Sequence, residues 1–335
     1  MRSIRILTAI MTLAMALLGF SLGSSLALVL NLDARAAVLR GAKDVPGPVF
    51  LPVILRNWHE VVWPPPAGAS WLDFVNYYRG LALLPPVAED PALTDGAQKH
   101  AHYIILNNIV EPFELSIGRQ GYTSEGAVAA ANSLLLGSTT SATTDQQALA
   151  FWMQGPFHAL GILDPALQRT GFGSDRNGGG AIIQMAAALN IITGLDQASV
   201  PAGMYPIMWP SDGMTVYLRS YTQGTDAPEP LTSCPGYLSP TGLPLLLQIG
   251  NGSFTTVSVT RSSLKQGGAS LEHCVFTENT YINPDSNLQV KGRGVLAARD
   301  AVVLIPRYPL AAGATYTVSV TANGRAYEWS FKSGN

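Results

Sequence analysis

The hydrophobic pattern changes its period once, near residue 200, and this change limits the folds that the chain can adopt. Between Ser70 and Leu195, apolar residues recur at the three- and four-residue spacing of amphipathic helices. From about Gly203 onward, short segments alternate apolar and polar residues, which is typical of half-buried strands. The sequence therefore predicts an α+β protein, in which a helical part precedes an all-β part.

Four helices are predicted in the first part. Ser70 and Thr144 are capping residues for the first and the fourth, and the second and the third are predicted to begin near Asp90 and Thr123. After these helices, residues 171–173 and 181–192 are predicted to be strands joined by the glycine-rich segment 174–180. No predicted helix follows that segment to offer its N-terminus to a phosphate, so we interpret it as a hairpin turn.

The second part ends in a predicted β-hairpin. Asn323-Gly324 separates two alternating segments, and this dipeptide favours the tight turn of a hairpin. Further predicted strands are 243–249, 254–260 and 301–305. Strands of this length and spacing predict an immunoglobulin-like β-sandwich.

Residues 6–30 carry no charge and follow two arginines, Arg2 and Arg5. This layout, with small residues at 34, 36 and 37, is typical of a secretory signal peptide. A helix of this length would span about 37 Å, which is also enough to cross a bilayer as an uncleaved anchor. In both cases the rest of the chain is expected to lie outside the cytoplasm, secreted or anchored to the membrane.

The order of these segments predicts a modular chain. Residues 1–37 form the signal peptide or N-terminal membrane anchor, and the proline-rich residues 38–69 form a spacer. The helical part covers residues 70–197 and the β-sandwich covers residues 203–335. Two folded domains agree with about 150 residues per domain.

Charge and cysteine content exclude some function classes. The net charge is −2 and only 13% of residues are charged, so the chain lacks the basic surface that a nucleic-acid partner requires. Cys234 and Cys274 are the two cysteines, and in an exported chain we expect them to form a disulfide. A zinc site at these cysteines is less favoured, because His273 alone does not complete a ligand set.

Residues 70–195 contain a series of short motifs in a fixed order. The motifs are Asn76-Tyr77-Tyr78-Arg79, His100-Ala101-His102-Tyr103, Glu125-Gly126, Trp152-Met153-Gln154-Gly155-Pro156-Phe157-His158, Leu163-Asp164-Pro165 and Gly171-Phe172-Gly173. Together they resemble the bacterial branch of the CAP superfamily, which includes cysteine-rich secretory proteins, antigen 5 and the plant pathogenesis-related-1 proteins. The resemblance implies an α-β-α sandwich, which agrees with the predicted order of helices and strands.

The resemblance also implies a central cavity with histidines and glutamates, which in some members holds a divalent metal such as zinc. By position, Glu125 and His158 would be the cavity residues, as metal ligands or as a catalytic acid/base pair. The chain has no histidine near residues 112–113, where the family has its first cavity histidine. Glu114 or His102 would have to fill that place.

Other roles remain open for the same side chains. Glu125 stands near a helix start, where a carboxylate interacts favourably with the helix dipole. His158 is equally consistent with a hydrogen-bonded structural histidine. His100 and His102 lie two residues apart on a helix, so they point about 200° apart and are not expected to share one site.

Three functions are consistent with these features. The favoured one is a protein of the cell surface or extracellular space that binds a lipid, glycan or peptide ligand through the CAP-like domain. The alternative is a hydrolase or protease-like enzyme that uses Glu125 and His158, with or without a divalent metal. A third is a structural surface protein without a small-molecule site.

Overall fold

The computed structural model describes residues 64–65, 68–176, 182–222 and 226–335. The predicted signal peptide or anchor at 1–37, most of the spacer and the centre of the turn at 174–180 lie outside these ranges. In the ranges that are described, no helix is both long and apolar enough to cross a membrane.

The first part of the chain contains five helices. They are α1 (Trp71–Leu81), α2 (Pro91–Asn107), α3 (Ser124–Asn132), α4 (Asp145–Gln154) and α5 (Pro156–Ile162). The side chains of Ser70, Asp90, Thr123 and Thr144 cap α1 to α4 by accepting backbone hydrogen bonds, and the two predicted caps, Ser70 and Thr144, form complete capping boxes. The predicted helix starts are therefore confirmed, and α5 is an addition that begins at a proline directly after α4.

A three-stranded antiparallel sheet crosses this part in the order β2-β5-β4. Its strands are β2 (Ser133–Ser138), β4 (Phe172–Asp175) and β5 (Met185–Asn190). Two short strands, β1 (Ala88–Glu89) and β3 (Arg169–Thr170), pair separately in parallel. The antiparallel pairing of β4 with β5 confirms the predicted hairpin.

Helices cover both faces of this sheet. Ala186 of β5 packs with Ala101 and Ile104 of α2, in a small cluster on one face. On the other face, Met185 and Leu189 belong to the larger core that contains residues of α1, α4 and α5. Since alternate residues of a strand point to opposite faces, the arrangement is a three-layer α-β-α sandwich.

Two glycines let α2 approach the sheet closely. A Cβ atom on Gly171 would overlap the backbone of Leu93 and Thr94, and one on Gly173 would overlap the backbone of Gln98. The Gly-x-Gly motif therefore sets the distance between α2 and β4.

In the described ranges, the second part of the chain contains two larger sheets and one α-helix. The first sheet has the order β13-β14-β10-β6 and the second the order β12-β11-β15-β16-β7. Their strands are β6 (Ile207–Trp209), β7 (Thr215–Val216), β10 (Leu245–Gln248), β11 (Val259–Gln266), β12 (Ala269–Ser270), β13 (His273–Phe276), β14 (Ala301–Pro306), β15 (Thr315–Ala322) and β16 (Arg325–Ser333). A further pair, β8 (Ser220–Tyr221) and β9 (Thr241–Gly242), stands apart from both sheets. The terminal hairpin of β15 and β16, with Asn323-Gly324 at its turn, is confirmed.

The α+β class is confirmed, but the second part differs from the prediction in two places. Helix α6 (Ser286–Ala297) follows the N-cap Asp285 and was not predicted, because its apolar residues are few and two glycines interrupt them. The strand expected at 254–260 begins only at Val259. The carboxylate of Asp300 accepts hydrogen bonds from the amides of residues 252–254, which holds that backbone in a turn.

Cys234 and Cys274 form the disulfide that the sequence analysis predicts. It joins the segment before β9 to the edge strand β13. The loop that it closes covers a sequence separation of 40 residues.

The two parts share one hydrophobic core. Buried side chains of α1, α4 and α5 belong to the same cluster as those of β10, β14 and β15. Polar contacts also join the parts, since Gln248 Nε2 donates to the Leu163 carbonyl oxygen over 3.0 Å. Arg299 Nη2 lies 3.0 Å from Asp164 Oδ2, and both side chains are buried.

Candidate functional site

Glu125 lies on the surface, in the first turn of α3. Its carboxylate is 3.5 Å from Lys99 Nζ of the neighbouring helix α2. Its own backbone amide, the positive charge of Lys99 and the Ser124 hydroxyl lower the pKa of this carboxyl. Glu125 is therefore an exposed, ionised group that interacts with a helix N-terminus and a lysine.

His158 lies in α5, on the opposite face of the sheet from α3. Its Nδ1 is 3.8 Å from Asp226 Oδ2, and neither atom has a hydrogen-bond partner among the described residues. Burial and the charge of Lys291 lower the pKa of His158 to about 4. Burial and the nearby Glu229 raise the pKa of Asp226 to about 7, so the imidazole is neutral at pH 7 and the carboxyl is partly protonated.

The structure does not bring Glu125 and His158 together. They occupy helices in different layers, and each has its own charged neighbours. Within the described ranges, no three side chains of histidine, cysteine, aspartate or glutamate stand close enough to hold a metal ion. The residues present do not fit the metal centre that the resemblance implies.

His100 and Glu114 form a fully buried pair between α2 and the loop that follows it. His100 Nδ1 is 3.0 Å from Glu114 Oε1, and His100 Nε2 is 3.1 Å from the Glu111 carbonyl oxygen. Since Nε2 donates to that carbonyl, a proton must also lie between Nδ1 and the carboxylate oxygen. The other Glu114 oxygen accepts from the Thr123 amide over 2.9 Å. This pair holds the loop between α2 and α3 against α2.

His102 points the other way, into an open cleft of about 440 Å³. The cleft is lined by Gln98, Lys99, His102, Gly121, Tyr122, Thr123 and Asp175. His102 Nδ1 lies 2.6 Å from Asp175 Oδ2, and 48% of the His102 side chain is exposed. The prediction that His100 and His102 do not share a site is therefore confirmed.

Neighbouring contacts fix the walls of this cleft. Gln98 Nε2 donates to the Ser174 carbonyl oxygen, and the Ser174 amide donates back to Gln98 Oε1. Gly121 has a φ of +74°, and a Cβ there would contact the Leu106 side chain at 2.7 Å, so glycine suits the turn. Lys99 Nζ is 2.7 Å from Asp95 and extends towards Glu125. The predicted site residue Glu125 thus reaches the cleft only through Lys99.

Of the residues that line this cleft, His102 is a candidate from its sequence motif, whereas Asp175 and Tyr122 are not predictable as site residues. Asp175 ends β4 beside the glycine-rich turn, and sequence spacing does not show that it faces a histidine 73 residues earlier. Tyr122 precedes the cap of α3, and an aromatic residue at such a turn carries no recognisable motif. Asp226 was also missed, because it comes from the second part of the chain.

Residues 72–185 match the model of the cysteine-rich secretory protein family, CAP. This range contains the α-β-α sandwich up to the start of β5, together with the cleft, Glu125 and His158. No curated protein matches the chain in a sequence comparison. The match, the three-layer architecture and the order of motifs agree, and the chain therefore contains a domain of the CAP superfamily.

Proposed function

We propose that this protein acts outside the cytoplasm and that its CAP domain binds a glycan in the cleft between α2 and the turn at Gly121-Tyr122. The disulfide between Cys234 and Cys274 supports an oxidising compartment. The uncharged segment 6–30 supports export, as a signal peptide or as a membrane anchor.

The observation that carries the proposal is the pairing of an exposed aromatic ring with fixed polar side chains in one cleft. The Tyr122 ring offers an apolar face with a polar edge, and His102, Gln98 and Lys99 offer hydrogen-bonding groups beside it. Sugars have apolar C–H faces and a rim of hydroxyl groups, so they match both kinds of surface. Because Asp175 and Ser174 hold His102 and Gln98 in place, little side-chain freedom would be lost on binding.

The size and the open shape of the cleft also favour a glycan over a lipid. About 440 Å³ lies in the range of ~300–1,000 Å³ that is typical of small-molecule sites. An acyl chain would need a deep apolar channel, whereas this cleft is open and several of its lining residues are polar. A short oligosaccharide would fill the cleft and extend over its rim.

Binding is tested with the full-length chain in detergent, applied to an array of oligosaccharides and then titrated calorimetrically with those that bind. We expect saturable binding that weakens at least tenfold in Tyr122→Ala. The matched control is Tyr308→Ala, since Tyr308 is an exposed tyrosine outside the CAP domain, and it should bind as the unaltered chain does. Absence of any bound oligosaccharide, or equal loss in both variants, would contradict the proposal.

A hydrolase is a second candidate function, and the contact of 2.6 Å between His102 and Asp175 favours it. A carboxylate at Nδ1 fixes the imidazole so that Nε2 faces the cleft as a general base for a water molecule. This version of the enzyme hypothesis relies on His102 instead of Glu125 and His158. If the bound oligosaccharide is cleaved and His102→Gln stops cleavage while binding persists, the protein is a hydrolase; intact oligosaccharide after prolonged incubation leaves binding as its function.

A further inference from the structure

Two strands of the second part separate and leave a groove between their edges. The hairpin of β11 and β12 pairs Lys265 with Ser270, and the Leu271 amide then donates to the Leu264 carbonyl oxygen over 2.8 Å. Beyond this bond the returning strand leaves β11 and enters the other sheet as β13. A groove of about 330 Å³ opens where the two strands diverge.

The backbone of β11 presents unpaired groups to this groove. The Leu264 carbonyl faces the side of β12, and alternate residues of a strand direct their backbone groups to the same side. Ser262 therefore directs its N–H and C=O groups into the groove. The ladder to β15 lies on the other side of β11, and within the described ranges no backbone group of a turn or loop forms a hydrogen bond with Ser262.

The edge of β13, which forms the other wall of the groove, also presents unpaired backbone groups. The Arg307 amide donates to the Glu272 carbonyl oxygen, so Glu272, Cys274 and Phe276 direct their backbone groups to β14. Val275 directs its N–H and C=O groups to the opposite side, where the groove lies. Both walls are thus open strand edges, which are templates for a further strand.

One end of the groove is closed by a side-chain contact between the same two strands. His273 Nδ1 donates to the Leu271 carbonyl oxygen over 2.9 Å, so its Nε2 accepts from the Ser262 hydroxyl over 3.0 Å. Arg261 is the one charged residue among those that line the groove, and it is exposed without an ion-pair partner in the described part of the chain. The nearby Glu278 is turned to the Val257 amide, to which its Oε1 is bonded at 2.5 Å.

We propose that this groove binds an extended acidic peptide segment of a partner protein by β-strand addition. The peptide backbone pairs with Ser262 or Val275, and a carboxylate of the peptide pairs with Arg261. Main-chain hydrogen bonds supply affinity in this mode, and the charge at Arg261 selects among segments. The site lies in the second part of the chain and is independent of the glycan cleft.

The probe is a capped six-residue peptide of alternating valine and threonine in which one threonine is replaced by aspartate, labelled with a fluorophore. The full-length chain in detergent should bind it saturably in fluorescence anisotropy. Bound peptide should slow amide hydrogen exchange at residues 259–264 and 273–276, as measured by mass spectrometry. The same peptide with lysine in place of aspartate should bind at least fivefold more weakly.

Two pairs of variants test the two contacts separately. Val275→Pro removes one groove-facing N–H group and leaves the ladder to β14 intact, whereas Val275→Ala shortens the side chain and keeps that group. We expect at least a fivefold loss of binding for Val275→Pro relative to Val275→Ala. Arg261→Glu should lose binding of the aspartate peptide, while Lys265→Glu, on the same strand but outside the groove, should not.

Three results would overturn the proposal. One is failure of the aspartate peptide to bind or to protect either strand. Another is equal binding by Arg261→Glu and Lys265→Glu, which remains decisive if Val275→Pro does not fold. The third concerns the chain without peptide. If both strands are then protected from amide hydrogen exchange, and this protection increases with protein concentration as dimers form, the groove would be assigned to a second copy of this chain.

Discussion

His158 shows how a single, largely enclosed side chain makes stability depend on pH. Its pKa is lowered from 6.5 to about 4 by burial and by Lys291, so between these values the folded chain binds fewer protons at His158 than the unfolded chain does. Stability from this group is therefore lost as the pH falls from 6.5 to 4. Asp226 has the opposite effect, because its pKa is raised to about 7, and stability falls as the pH rises from 4 to 7.

Two variants at this pair are predicted to respond to pH in opposite directions. His158→Gln removes the penalty for charging the imidazole, so relative to the unaltered chain it should gain up to about 3 kcal/mol in free energy of unfolding between pH 7 and pH 4. Relative to the unaltered chain, Asp226→Asn should gain free energy of unfolding as the pH rises from 4 to 7. Urea unfolding at pH 4, 5.5 and 7 measures both differences, and parallel curves for the three proteins would contradict the assignment.

The candidate site was only partly predictable at the residue scale. The helical spacing of His100 and His102 was enough to separate them, and the structure places one in the interior and the other in the cleft. The partners of both were not predictable, because Glu114 and Asp175 come from loops or strand ends whose contacts depend on the tertiary fold. The pairing of Glu125 with His158 followed only from the family resemblance, and it does not occur in this chain.

Secondary-structure elements were predictable where the signal is local. The caps at Ser70 and Thr144 are complete within four residues, and both helices begin there. Strand β2 is not predictable from its sequence, because Leu134-Leu135-Leu136 is a short apolar run and periodicity alone does not distinguish such a run in a strand from one in a helix. Helix α6 is not predictable for another reason, since Gly292 and Gly294 weaken the local helical preference.

The close packing of α2 on β4 predicts a strong effect of a single methyl group. Gly173→Ala would place its Cβ against the backbone of Gln98, which belongs to α2 and cannot move without shifting the helix. We expect the free energy of unfolding to fall by about 3 kcal/mol, the upper end for overpacking. Gly294→Ala is the matched control, since nothing lies near its Cβ in α6, and it should stabilise the chain by up to about 1 kcal/mol. Equal effects of the two substitutions in denaturant unfolding would be inconsistent with this packing.

At the scale of the whole molecule, a buried arginine of the first part fixes the segment that contacts the second part. Arg79 of α1 is fully buried and donates hydrogen bonds to the carbonyl oxygens of Pro85, Ile162, Asp164 and Leu167. Burial lowers its pKa to about 10, so it stays charged at neutral pH. These bonds hold the chain after α5, the segment that also carries Asp164. The sequence pattern predicted separate domains from the change of period, but it contains no information on whether their apolar faces pack against each other.

The ion pair of Asp164 and Arg299 provides a test of coupling between the two parts. Both side chains are less than 10% exposed, so removing one partner leaves a buried charge uncompensated. Asp164→Asn and Arg299→Met are each expected to lower the free energy of unfolding by about 3–5 kcal/mol. The double variant should lose less than the sum, with a coupling energy of about 1–3 kcal/mol.

The control for this cycle is the exposed ion pair of Arg307 and Glu272, whose atoms lie 2.6 Å apart. Solvent screens that pair, so Arg307→Met and Glu272→Gln should couple by less than about 1 kcal/mol. Because the buried pair lies in a core that both parts share, calorimetry of the full-length chain should show one cooperative transition that moves as a whole in Arg299→Met. Two separate transitions, of which only the one for the second part shifts in this variant, would show that the parts unfold independently in spite of their common core.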